Sequence, residues 1–103
     1  MAKKKAPYIV ARCTQAGVHA GELVSKKYNG NGTCSLILRN ARRLWYWSGA
    51  ASLSELAVYG SKTPNTCKFA SMVSLHEVTD CCEIIYTQPA GENMIRSQPE
   101  WRA

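Results

Sequence analysis

At 103 residues the chain has room for one domain with a single modest core, small enough for self-association to be a plausible source of added stability. Thirteen Lys and Arg against seven Asp and Glu give a net charge of +6, which favours anionic partners, although Lys3, Lys4 and Lys5 concentrate part of that excess in one arm. No apolar run approaches a membrane span, and the basic start leads into Tyr8-Ile9-Val10-Ala11 broken by Arg12, which argues against a signal peptide and for the cytoplasm of the cell that makes the protein.

Residues 1–7 read as a disordered basic arm, and residues 8–87 as a single small β domain. Tyr8 to Cys13 is the first predicted strand, β-branched at Ile9 and Val10. Gly17 and Gly21 lie close together, as at a bend or bulge in a barrel strand, and Glu22 to Ser25 continues extended. Asn29-Gly30-Asn31-Gly32 is the clearest turn, because Asn-Gly pairs tolerate the positive φ of tight hairpins. Thr33 to Leu38 is its return strand. Asn40-Ala41 makes a short break before a fourth strand, Arg42 to Trp47.

Ser52-Leu53-Ser54-Glu55 fits a capping box and opens a short helix that stops near Gly60, with Leu53, Leu56 and Ala57 as its buried stripe. Ser61 to Lys68 is a loop, and Cys67 to Phe69 a short extended segment. Met72 to Thr79 and Cys82 to Thr87 read as two final strands. After Gln88 the chain turns polar, and residues 88–103 read as a flexible or partner-bound tail. The expected fold is mainly β: a small barrel or curled antiparallel sheet of about five to six strands with one short helix.

The fourth strand carries the strongest chemical signal. Arg42-Arg43-Leu44-Trp45-Tyr46-Trp47 places two arginines and three large aromatics in six residues, then gives way to Ser48-Gly49-Ala50-Ala51-Ser52. Guanidinium groups suit phosphates, and indoles offer flat faces on which bases stack. Alternation puts Arg43, Trp45 and Trp47 on one face and Arg42, Leu44 and Tyr46 on the other, without saying which is inward. Ser48, Gly49, Ala50 and Ser52, at the entry to the helix, add polar and backbone donors for an anion, and Lys68 is a further candidate for a phosphate. The ordinary alternatives are tryptophans filling a core, a plain capped helix, or an aromatic strand that contacts another subunit. Lys26-Lys27 and Lys62 read as solvated faces or as the lining of an anionic groove.

Nothing comparable points to catalysis or metal binding. The five cysteines, Cys13, Cys34, Cys67, Cys81 and Cys82, are odd in number and lack zinc-knuckle spacing, so free thiols are expected. His19 and His76 are too few and scattered to define a metal site, and no nucleophile–histidine signature is recognisable. Glu55, Glu77, Asp80 and Glu83 read as caps or surface groups. The expectation is a binding protein, with no catalytic residues, metal or cofactor.

The segment Asn40-Ala41-Arg42-Arg43-Leu44-Trp45-Tyr46-Trp47-Ser48-Gly49-Ala50-Ala51-Ser52-Leu53-Ser54-Glu55-Leu56-Ala57, followed by Cys67-Lys68-Phe69, resembles a family of small uncharacterised proteins of tailed bacteriophages. Ala16 to Leu23 and Glu83-Ile84-Ile85 fit the same family. The resemblance covers roughly residues 8–87 and implies a phage accessory protein made in the host bacterial cytoplasm. Gly17 to Leu23, a turn and then Leu36 to Ala41 is also similar to the bent strands of Sm-like small barrels, which implies an oligomerising barrel. The leading expectation is a homo-oligomer that binds and sequesters a cyclic or linear nucleotide. Specifically, it would be a sponge for the cyclic oligonucleotide signals of bacterial antiphage defence. An RNA- or single-strand-binding barrel and a virion-associated structural protein are the alternatives.

Overall fold

A computed structural model describes residues 6–102, so all but the last two positions of the expected basic arm lie outside the described residues. Its strands are β1 (Tyr8–Cys13), β2 (Gly17–Tyr28), β3 (Cys34–Tyr46), β4 (Lys68–Phe69) and β5 (Val73–Tyr86). Helix α1 spans Leu53–Tyr59 and α2 spans Pro89–Ser97, with a single 3-10 turn at Pro64–Thr66.

β1 organises the interior. Successive side chains of a strand point to opposite faces, and nearly all of β1 is buried, so it feeds two cores at once. Tyr8 and Val10 join Ala20, Leu44, Phe69 and the helix residues Leu56, Ala57 and Ile95. Ile9, Ala11 and Cys13 join Leu36, Leu38, Ala41, Val78 and Cys81. One core lies under the helices, and the other is enclosed by the strands themselves.

All strand pairings are antiparallel. β1 pairs with β2 and β5, β3 pairs with β5, and β2 pairs with β3, so four strands close a ring and β4 continues beside the far end of β3. The mainly β fold is as expected, with five strands. The Asn29–Gly32 turn joins β2 to β3, and Asn29 N–H donates to Thr33 O at 3.0 Å. The Ser52 cap of α1 is also in place.

Three expectations need correction. The predicted third and fourth strands are one strand, β3: Asn40 takes φ 52° inside it and kinks the chain without ending the ladder, a conformation that asparagine tolerates. The two final strands are likewise one, β5, which continues through Asp80-Cys81 with a bulge against each neighbouring strand. There the Asp80 carboxylate accepts the N–H groups of Gln15 and Ala16 and ties the β1–β2 turn to the strand.

The third correction concerns the tail. Residues 89–97 form a second helix rather than a flexible or partner-bound arm, with Pro89 in its first turn and Ile95 fully buried. α2 packs against α1, where Gly91 lets the backbones meet: a Cβ at that position would strike the Ala57 carbonyl.

Candidate functional site

The inward face of β3 is now defined. Arg42 and Leu44 point into the core beneath the helices, and Arg43 and Trp45 point out. Arg42, a candidate ligand residue, is therefore corrected to a structural role. Its guanidinium is sealed from solvent and donates to four carbonyls: Ala70 at 2.9 Å, Ile95 at 3.0 Å, Gln98 at 2.7 Å and Phe69 at 3.3 Å. Two of these belong to the end of α2, where carbonyls lack helical partners and the helix dipole favours a cation. Burial lowers the pKa of Arg42, and the neighbouring Tyr8 and Glu100 oppose that shift.

The elbow after β3 is likewise committed to the fold. Ser48 Oγ joins the hydroxyls of Thr63, at 3.1 Å, and Thr66, while the Ser61 hydroxyl donates to the Ser48 carbonyl. Gly49 has φ 78°, its carbonyl accepts Lys62 N–H at 3.0 Å, and a Cβ there would meet Thr63 Oγ1 at 2.5 Å. Ala50 packs against the helix-side core. Ser52 Oγ accepts Glu55 N–H at 3.1 Å, and the Glu55 carboxylate accepts Ala51 N–H at 3.2 Å. A carboxylate of the protein's own thus occupies the helix entry, so Ser48, Gly49, Ala50 and Ser52 do not form an open phosphate cradle. Trp47 also leaves the group: β3 ends at Tyr46, and the indole of Trp47 packs half-buried against the helix-side core.

What stays outside is a wall of rings around one ammonium. Trp45 is 58% exposed, Tyr46 47% and Trp101 44%. Trp45 and Trp101 stack with centroids 4.9 Å apart and planes 15° apart. The β4 residue Lys68 pairs across the ladder with Tyr46, which places its Nζ 5.4 Å from the Trp45 ring, 5.9 Å from Tyr46 and 5.2 Å from Trp101. Each such contact contributes about 0.5–1 kcal/mol at an exposed site. Arg43 is exposed two residues before Trp45, and neither Arg43 nor Lys68 has a carboxylate partner among the described residues.

The position of Trp101 follows from the C-terminal segment. Trp101 N–H donates to Phe69 O at 2.9 Å, and Glu100 bridges to Phe69, so the segment lies along the outer edge of β4. Beside Trp101 runs a groove of about 520 Å³ lined by Pro64, Asn65, Cys67, Gln98, Pro99 and the carboxylate-bearing Glu100. Sequence reading missed Trp101 because it lay in the presumed tail. Its only sequence signal was a lone tryptophan in a polar segment.

Elsewhere, a groove of about 480 Å³ lies between Lys26 and Tyr28 of β2 and Cys81 to Ile84 and Tyr86 of β5, so Lys26 lines a concavity rather than a featureless face. The cysteines are free thiols among the described residues, as expected. His19 is fully buried with its ring centroid 4.7 Å from that of His76, and no group of three or more potential metal ligands occurs among the described residues. No helix of the described residues is long and apolar enough to cross a membrane.

Comparison with known proteins finds no matching curated protein and no matching solved structure. Residues 6–95 match the model of a family described as a domain of unknown function, DUF6948, and the chain belongs to that family.

Proposed function

We propose that this protein binds nucleotides without altering them, stacking bases on the Trp45–Trp101 wall and meeting their phosphates with Lys68 and Arg43. The observation that carries this reading is the ammonium of Lys68 among three exposed rings, with no carboxylate in a salt bridge to it among the described residues. Base–aromatic stacking contributes about 1–3 kcal/mol per base, and a cation beside the stack fixes where the phosphate sits. The groove next to Trp101 offers room for the sugar and the rest of a small ligand. In its specific form, the protein is a phage-encoded sponge, acting in the host cytoplasm, that sequesters cyclic oligonucleotide signals of antiphage defence. Sequestration requires tight binding and no turnover.

Titration calorimetry against a panel of cyclic di- and trinucleotides tests this reading. Saturable binding that is lost in Trp45→Ala and weakened in Lys68→Gln is the expected result. Absence of binding to every member of the panel would reject the sponge.

The openness of the wall favours a second reading, an RNA- or single-strand-binding surface, because a flat exposed stack accepts successive bases of a strand. That ligand would bind more tightly as the oligonucleotide lengthens and more weakly as salt rises, whereas a compact nucleotide would saturate the wall alone.

A further inference from the structure

β5 is covered by different strands along its length. β3 pairs with it from Val73 to Cys81, and β1 pairs with its other edge only from Cys81 to Tyr86. From Val73 to Val78 that other edge therefore has no strand beside it among the described residues. Just beyond, Thr14 N–H donates to Asp80 O at 3.1 Å and closes the edge. The bare stretch presents backbone donors and acceptors to a partner in the same plane.

Its side chains invite a partner. Leu75 is 65% exposed, and Val73 and Met72 are exposed beside it. Val73-Ser74-Leu75-His76-Glu77-Val78 contains no lysine and no proline, the residues that usually blunt an edge. The other exposed edges contrast with it. The outer part of β2 carries Lys26 and Lys27, and the edge of β4 is covered by Glu100 and Trp101.

We propose that this edge pairs antiparallel with the same edge of a second copy of the chain, about a two-fold axis through Leu75. The sequence complements itself in that register. Leu75 faces its own symmetry mate, Val73 faces Glu77, and Ser74 faces His76, so no two like charges are opposed. Val73, Leu75 and Glu77 share one face of the strand, which puts the apolar pair at the centre and the carboxylates at the flanks. An isologous contact of this kind closes at two copies and leaves the Trp45 wall out of the pairing edge. The inference stands apart from the ligand reading, because mass reports one and calorimetry the other.

Light scattering on the full chain gives the first test, with twice the 11.4 kDa chain mass expected at micromolar concentration and above. Leu75→Lys sets two ammonium groups against each other at the axis and should yield a monomer with unchanged circular dichroism. In a Cys82→Ser background, which removes the exposed thiol, Leu75→Cys should form a disulfide with its symmetry mate on mild oxidation, while Val73→Cys should not. A wild-type monomer up to millimolar concentration, a trimer or larger ring, or a dimer that survives Leu75→Lys would each overturn the proposal.

Discussion

Arg42 and Arg43 are chemically identical neighbours with opposite roles, and the difference lies in what their faces meet. Alternation along the strand separates them, and that much was legible in the sequence. Which one turns inward was not, because the acceptors that let a guanidinium be buried come from Ala70, Ile95 and Gln98, far along the chain. Replacing Arg42 with leucine leaves those carbonyls without their charged donor. We expect a loss of about 3 kcal/mol, from the usual value of hydrogen bonds to charged groups and the cost of orphaned acceptors, measured by urea unfolding. Arg43→Gln should change stability by less than about 0.5 kcal/mol, as exposed substitutions commonly do, and should lower nucleotide affinity. If Arg43→Gln unfolds the protein and Arg42→Leu does not, the two roles are reversed. Trp45 and Lys68 were also legible as candidates, whereas the order of their contacts depends on Trp101.

At the scale of elements, α1 announces itself and α2 does not. Ser52 and Glu55 carry a local capping signal that needs no tertiary context, and both make the bonds that signal implies. α2 has no side-chain cap at Gln88 and a mostly polar surface, so its pattern resembles that of a tail. What holds it is contact: Gly91 against the Ala57 carbonyl, Ile95 in the core, and Arg96 lying 4.3 Å from the centre of the Tyr8 ring. Gly91→Ala tests this account. Its methyl group would strike backbone rather than a movable side chain, so the helices must separate. We expect a cost at or above the roughly 3 kcal/mol upper range of ordinary overpacking, read as a lower thermal midpoint and faster amide exchange in both helices. A neutral result would mean that α2 does not pack closely on α1. The merged strands teach a related lesson: Asn40-Ala41 and Asp80-Cys81 look like breaks in a local pattern, yet pairing with neighbours on both sides carries the ladder through them.

Across the whole molecule, Glu22 and His19 couple the fold to pH in the same direction, and Asp80, held below its ordinary 3.8 chiefly by the Gln15 N–H, adds to the acid end. Glu22 of β2 accepts from Arg39 Nε at 3.1 Å and Asn40 Nδ2 at 3.2 Å on β3, and from Arg96 on α2 at 3.1 Å. The Asn40 bond, followed by the two arginines, outweighs partial burial and holds its pKa below the ordinary 4.5. His19 sits in the strand ring with Nε2 against Ala16 O at 2.9 Å and Nδ1 buried without a hydrogen-bond partner among the described residues. Burial lowers its pKa from 6.5; the neighbouring His76 and Arg43 side chains add to that shift, while the Ala16 carbonyl and Asp80 oppose it.

In each case the unfolded chain takes up the proton more readily than the folded one, so stability falls as pH falls. The His19 contribution is complete above pH 6.5 and is lost as pH drops through its lower folded value. The Glu22 contribution is complete above pH 4.5 and is lost further into acid. The thermal midpoint should therefore be level from neutrality up to the ordinary thiol value of 9.0, above which the buried Cys13 costs stability, and should descend in two stages in acid. Glu22→Gln should shrink the lower stage, leaving the part that Asp80 contributes, and spare the upper, because His19 lies inside the ring and Glu22 ties the ring to α2. A midpoint that stays level from pH 7 to pH 5 would mean that the imidazole of His19 takes up its proton as readily in the fold as in the unfolded chain, which a fully buried ring beside Arg43 disfavours.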